Sequence, residues 1–279
     1  PRRYLLAAGR CRLREVEVMV PVPNFSSLEG RVVLITGGAG HIGSALADGF
    51  LAVGCSVATA DLSDPEHSVS RDTARFMHTT VDLTDTGSSA ALVDETVKRF
   101  RRLDVLVTTA SWMGTDSTPG WNAPFAEQDE GLWPEVLQVG VTSAFSLVQH
   151  AAPHLANSSD GSVVLLSSIY GFCAPQPAMY QGTGINNIAG YAASKGAVGQ
   201  LARWLSTTLA PDVRVNSVSP GGVFRDQDQT FVDRYVERTP LGRMATEDDL
   251  VGPVLFLASD LSRYVTGHDL VVDGGFSVW

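Results

Sequence analysis

From Arg31 onward the spacing of apolar positions switches repeatedly between two periods. Seven runs are apolar almost without interruption: "RVVLITGG", "SVATADL", "FMHTTVDL", "LDVLVTTA", "SVVLLSS", "VRVNSVSP" and "DLVVDGG". Each predicts a β-strand. Between them, apolar residues three and four apart predict helices over "IGSALADGFLAVG" (closed by Gly54), "SSAALVDETVKRF", about 130–156, about 190–210 and about 247–259. Continuously apolar strands separated by helices need a parallel sheet covered on both faces. The expected class is therefore α/β, a doubly wound parallel sheet, with no internal repeat or low-complexity tract.

Residues 1–18 do not fit this pattern. Arg2, Arg3, Arg10, Arg12 and Arg14 surround a patch, "YLLAA", that is too short for the apolar core of a signal peptide. With the linker-like "VPVPNFSSLEG" after it, 1–29 is expected to be an N-terminal extension or linker and 30–279 the globular domain.

Composition narrows the function classes. A chain of 279 residues with 44% hydrophobic content supports one core of ordinary size. A formal net charge of -10 argues against a protein that coats nucleic-acid phosphates and favours a small-molecule ligand. No apolar run approaches the roughly 18 residues a bilayer span needs. Cys11, Cys55 and Cys173 lack C-x-x-C spacing, which suits a reducing, cytoplasmic compartment. His41, His67, His78, His150, His154 and His268 show no metal-ligand spacing, so no metal site is expected.

Three patterns carry chemistry. "TGGAGHIG", residues 36–43, lies where the first strand turns into the first helix. Glycines there let the backbone approach a pyrophosphate, and the helix N-terminus presents N–H groups to it. Asp61 ends the second strand, 24 residues after Gly37. A carboxylate at that place accepts both ribose hydroxyls and repels a 2′-phosphate, which favours NAD over NADP. Arg71 and Arg75, nearby in sequence, keep NADP as the less favoured choice. Third, Lys195, one of only two lysines in the chain, follows Tyr191 by four residues in "GYAASKGAVG". On a helix the two share a face, and an adjacent cation lowers a phenol's pKa, which makes a tyrosine usable as a general acid/base.

"TGGAGHIG", "VDLTD", "DVLVTTAS", "LLSSIYG", "YAASK", "NSVSPGG" and "VDGG" stand in an order and spacing that resemble the short-chain dehydrogenase/reductase family, over about 28–279. The resemblance implies a single-domain Rossmann fold with a seven-stranded parallel sheet, usually a homo-oligomer (tetramer or dimer), using NAD or NADP. It implies Tyr191 as acid/base, Lys195 as ligand of the nicotinamide ribose and modulator of the tyrosine, and Ser168 as hydrogen-bond partner of the substrate oxygen. Cofactor contacts carry over to Gly37, Gly40, His41, Ile42 and Gly43, to Asp61 and Leu62, to Asp82 and Leu83 beside the adenine, and to Thr108 and Ala110. Pro220, Gly221 and Val223 would border the nicotinamide.

The chain departs from the family pattern in places. His41 stands where single-domain members usually have the middle glycine, which gives the T-G-x-x-G-x-x-G spacing of the sugar-nucleotide-modifying branch. "TTAS" (Thr108 to Ser111) replaces "NNAG", with weaker hydrogen-bond support expected. Gly140 replaces an asparagine whose carbonyl, in the family, anchors a water linking the lysine to solvent. Between Ser168 and Tyr191 lie 22 residues, more than is usual. That insert, "APQPAMYQGTGINNIAG", offers Tyr180, Gln181, Thr183, Asn186 and Asn187 to substrate hydroxyls, as in relatives acting on sugars or polyols. The expected function is NAD-dependent interconversion of a secondary alcohol and a ketone. The rival readings are a sugar-nucleotide epimerase or dehydratase, opposed by the expected lack of a C-terminal substrate domain, and a nucleotide-binding regulator with a decayed site.

Overall fold

Along β1 (Val32–Thr36) the side chains alternate between two cores: Val32 and Leu34 face one, Val33 and Ile35 the other. The computed structural model describes residues 24–64, 74–85, 87–114 and 117–279. The same alternation recurs on β5 (Gly161–Leu166), with Val163 and Leu165 on one face and Val164 and Leu166 on the other. Helices are what each face meets. On the first lie α2 (Ser88–Phe100), α4 (Ser143–Ala156) and α6 (Ala189–Leu209). On the second lie α1 (His41–Ala52) and α8 (Asp248–Ala258). This double burial explains why the strands read as unbroken apolar runs.

The remaining strands are β2 (Ser56–Asp61), β3 (Phe76–Thr80), β4 (Val105–Thr108), β6 (Val213–Pro220) and β7 (Asp269–Val272). All seven form one parallel sheet in the order β3-β2-β1-β4-β5-β6-β7, as expected. The chain winds outward from β1 to β3, then reverses across β4. Between the carboxyl ends of β1 and β4 the loops part in opposite directions, and ligands of such sheets bind there. Of the expected N-terminal extension, residues 1–23 lie outside the described residues. Ser26–Leu28 form a single 3-10 turn, and Leu28 is fully buried in the second core.

Two parts of the helical pattern differ from expectation. The helix expected over about 130–156 consists of a 3-10 turn (Glu130–Leu132), α3 (Trp133–Leu137), a π-helical turn (Gln138–Thr142) and α4. Gly140 lies buried in the π turn, where the ladder takes up one extra residue. Two further helices were not evident from periodicity, α5 (Pro177–Tyr180) and α7 (Gln229–Arg238). Helix α7 starts where the Asp228 carboxylate accepts from the Thr230 and Phe231 amides, at 2.9 and 3.3 Å. Its Phe231 and Tyr235, four residues apart, pack with Ile169, Met179, Met244 and Phe276 in a third, smaller core above the carboxyl ends of the strands. No helix among the described residues is long and apolar enough to cross a membrane.

Candidate active site

The turn from β1 into α1 is tight because its glycines have no room for side chains. Gly37 has φ +73°, and a Cβ there would lie 2.6 Å from Thr109 Oγ1. A Cβ on Gly43 would lie 2.1 Å from the Gly37 carbonyl oxygen. His41, by contrast, is the first residue of α1, so it needs no glycine conformation and its exposed side chain borders the groove. The altered glycine spacing thus leaves the loop-to-helix turn intact. Asp61 reaches back across the loop: its Oδ2 accepts from the Ala39 amide at 3.0 Å and its Oδ1 from the Leu62 amide at 2.7 Å.

These residues border a groove of about 420 Å³ at the switch between β1 and β4. Gly37, Gly40, His41, Ile42, Gly43, Asp61, Leu62, Asp82, Leu83 and Ala110 all line it. The Asp82 carboxylate holds its own turn, accepting from the Thr84 amide and hydroxyl at 2.8 Å. Thr108 is placed differently from the reading of the sequence. It is the buried last residue of β4, and Thr109 is the one that faces the groove. The Thr109 hydroxyl donates to the Thr36 and Gly37 carbonyls, at 2.7 and 3.3 Å, tying β4 to the phosphate loop. Arg71 lies outside the described residues, and Arg75 donates to the Leu51 carbonyl at 3.1 Å.

The groove continues into a cleft of about 1040 Å³, whose wall includes Ser168, Tyr191, Lys195, Pro220, Gly221 and Val223. Ser168 follows β5 and caps a 3-10 turn, its Oγ accepting from the Tyr170 amide at 3.2 Å. Its hydroxyl also acts on the Tyr191 phenol, favouring the charged form. Lys195 is 4% exposed, its Nζ 5.5 Å from the centroid of the Tyr191 ring and donating to the Leu166 carbonyl at 3.0 Å. The i, i+4 pairing on α6 is as expected, but its electrostatic sign is not. Burial pushes the Tyr191 phenol up from its ordinary value, opposed only by the Ser168 hydroxyl. Burial also draws the Lys195 ammonium down from 10.5 to about 8. The cation points at a carbonyl, and loss of water is the larger effect on both groups.

The insert after Ser168 forms a roof held from two sides. From α7, Arg234 donates to the Met179 and Gln181 carbonyls, at 3.2 and 2.7 Å. From the other side, the Asn122 amide group donates to the Gly184 carbonyl at 3.1 Å and accepts from the Asn186 amide at 2.8 Å. The Gln128 amide group donates to the Asn187 carbonyl at 2.8 Å and accepts from the Ala189 amide at 3.1 Å, at the start of α6. Tyr180, Thr183, Asn186 and Asn187 line the cleft as expected, while Gln181 faces a neighbouring groove. Much of their polar capacity is already engaged: Tyr180 hydrogen-bonds Tyr170, Thr183 donates to the Tyr180 carbonyl, and the Asn186 side chain donates to the Asn122 carbonyl. Trp121, Asn122, Tyr170, Tyr235 and Arg225 also line the cleft and escaped the sequence reading, because only the tertiary fold brings their loops to it.

The groove fits a dinucleotide on its own evidence. It runs unbroken from Asp61 to Tyr191, and the buried Ser111 hydroxyl in its wall has no hydrogen-bond partner among the described residues. A ligand hydroxyl or phosphate is the partner such an atom lacks.

Comparison with known proteins agrees with this geometry. A family model described as enoyl-(acyl carrier protein) reductase matches residues 37–277. A 2-dehydro-3-deoxy-D-gluconate 5-dehydrogenase from Pseudoalteromonas atlantica is 34% identical, covering 90% of this chain and 97% of its own. A sorbose reductase from Schizosaccharomyces pombe is 32% identical, with 90% and 97% covered. The crystal structure of a short-chain dehydrogenase from Leptospira borgpetersenii with bound NAD+ superposes with a TM-score of 0.81 at 32% identity, covering 92% of this chain and 97% of that one.

Proposed function

We propose that a sugar- or polyol-like small molecule is the substrate of this chain, which belongs to the short-chain dehydrogenase/reductase family and is an oxidoreductase acting on CH–OH groups. The observation that carries the reading is the meeting of Ser168, Tyr191 and Lys195 in one cleft continuous with the groove beside Asp61. Residues 30–279 form the catalytic domain. Ser168 Oγ holds the substrate oxygen, and Tyr191 Oη takes the proton from it in oxidation or returns it in reduction. Lys195 would hold the nicotinamide ribose, and its charge beside the Tyr191 ring favours the phenolate that proton donation leaves. A nicotinamide held beside Lys195, Pro220, Gly221 and Val223 would supply the hydride chemistry, as acceptor in oxidation and donor in reduction.

Trp121, Asn122, Tyr180 and Asn187 line the same cleft as Ser168 and Tyr191, and a wall of aromatic rings beside amide-bearing residues is suited to a polyhydroxylated ring. NAD is preferred over NADP, because a 2′-phosphate beside the Asp61 carboxylate costs roughly 1–3 kcal/mol, or about 5- to 150-fold in affinity. The protein works as a homo-oligomer, dimer or tetramer, in the cytoplasm, a setting consistent with the free thiols Cys55 and Cys173.

An absorbance screen of sugars, polyols and ketoacyl compounds with NADH and NADPH, or their oxidised forms, tests substrate and cofactor together. Tyr191→Phe should abolish turnover and leave cofactor binding nearly unchanged, whereas Lys195→Ala should damage both. Turnover by the Phe variant above about one per cent of the parent rules the assignment out.

A further inference from the structure

We propose that Arg225 is a ligand for the cofactor's diphosphate, held ready beside the groove by Glu247. The loop after β6 places Arg225 in the wall of both the nucleotide groove and the catalytic cleft, together with Ile42, Thr109, Ser111, Met113 and Leu166. The inference rests on the dinucleotide reading of that groove. A dinucleotide whose adenosine lies at Asp61 and whose nicotinamide lies at Tyr191 passes this junction with its two phosphates. Two negative charges must then be met there, in a chain of net charge -10.

The other ionisable residues lining the nucleotide half are His41, Asp61 and Asp82, and two of the three are acids. Lys195 is buried beside Tyr191 at the far end. The N-terminus of α1 supplies only about half a positive charge. Among the described residues, Arg225 is therefore the one fixed cation bordering both halves. A guanidinium also presents paired N–H groups that match phosphate oxygens.

Its present partner does not lock it away. The Arg225 side chain is 32% exposed, and its Nη2 lies 2.9 Å from Glu247 Oε1, which precedes α8. A single pair that is partly open to solvent has modest net strength, and a doubly charged anion competes with it. Around it the loop is fixed: the Phe224 amide donates to the Ala245 carbonyl at 2.9 Å, and the Arg225 amide to Gln227 Oε1 at 2.7 Å. Only the side chain has to turn, and Glu247 competes with the phosphates for it.

Fluorescence titration of the whole 279-residue chain with NADH and with ADP-ribose, at low and at high salt, tests the assignment without reference to turnover. Arg225→Ala should weaken both ligands tenfold or more at low salt, and the loss should shrink at high salt. Arg225→Lys should retain most of the low-salt affinity, and Glu247→Gln should tighten both ligands a few-fold. Unchanged binding by Arg225→Ala would overturn the proposal, and so would a loss of equal size at both salts, which marks a packing defect. Failure of the wild-type chain to bind either ligand would instead remove the dinucleotide reading on which the proposal stands.

Discussion

At the scale of single residues, the decisive finding concerns charge rather than position. Lys195 and Tyr191 stand as neighbours on α6, yet burial holds the ammonium near 8 and raises the phenol. The lysine therefore costs stability in this chain instead of adding to it. Its folded pKa lies below the 10.5 of the unfolded chain, so between about 8 and 10.5 the unfolded state binds more protons than the folded one. Stability from this group then rises with pH through that window, by an amount on the order of a few kcal/mol. Melting curves of the wild type and Lys195→Met between pH 7 and 10 should show the wild type gaining on the variant as pH rises. A constant or shrinking difference would contradict the buried-charge account. Tyr191 and Lys195 were legible from an i, i+4 spacing and the rarity of lysine, but the sign of the tyrosine's shift was not. A spacing says who is adjacent, whereas the shift depends on what excludes water.

Among the elements, the π turn over Gln138–Thr142 separates a working site from a decayed one. Gly140 packs against α6, and a Cβ added to it would meet Ser194 Cβ and Oγ at 3.7 Å, an ordinary contact. Ser194 Oγ in turn donates to the Tyr191 carbonyl at 2.7 Å. A Cβ at 140 is therefore accommodated without pushing the catalytic helix, and the backbone carbonyl at 140 is present whichever side chain stands there. Gly140→Asn should change turnover by less than about tenfold, or under about 1.4 kcal/mol of barrier. A gain of orders of magnitude would mean that the wild-type site lacks its proton path. The helical pattern over about 130–156 gave no sign of this turn, because one extra residue in a ladder leaves the apolar period almost intact. Helix α7 escaped for the opposite reason. Its ten residues are mostly polar, and only Phe231 and Tyr235 are buried, against partners distant in sequence.

At the scale of the whole molecule, an apolar surface feature points outward from the catalytic helix. Phe145 on α4 and Trp204 on α6 are 38% and 53% exposed, with ring centroids 6.4 Å apart. Neighbouring exposed aromatics on two adjacent helices are suited to burial against a second copy of the chain. Trp204→Glu should shift the protein toward monomer in light scattering after size exclusion, with the melting temperature of the monomer little affected. Unchanged mass would rule these two rings out as a contact between copies.

The amino-acid sequence by itself determined the parallel doubly wound sheet, the glycine turn with Asp61 behind it, and the Tyr191–Lys195 pair, since each is written in periodicity or short spacing. Tertiary structure alone decided that Thr109 rather than Thr108 faces the groove, and that the insert is a roof tied to Asn122, Gln128 and Arg234. It also decided that Arg225 borders both halves of the site. Periodicity records which face of an element is buried. Loops that converge over a cleft are joined by bonds between residues 50 or more positions apart, and by the water they exclude, and neither leaves a local pattern.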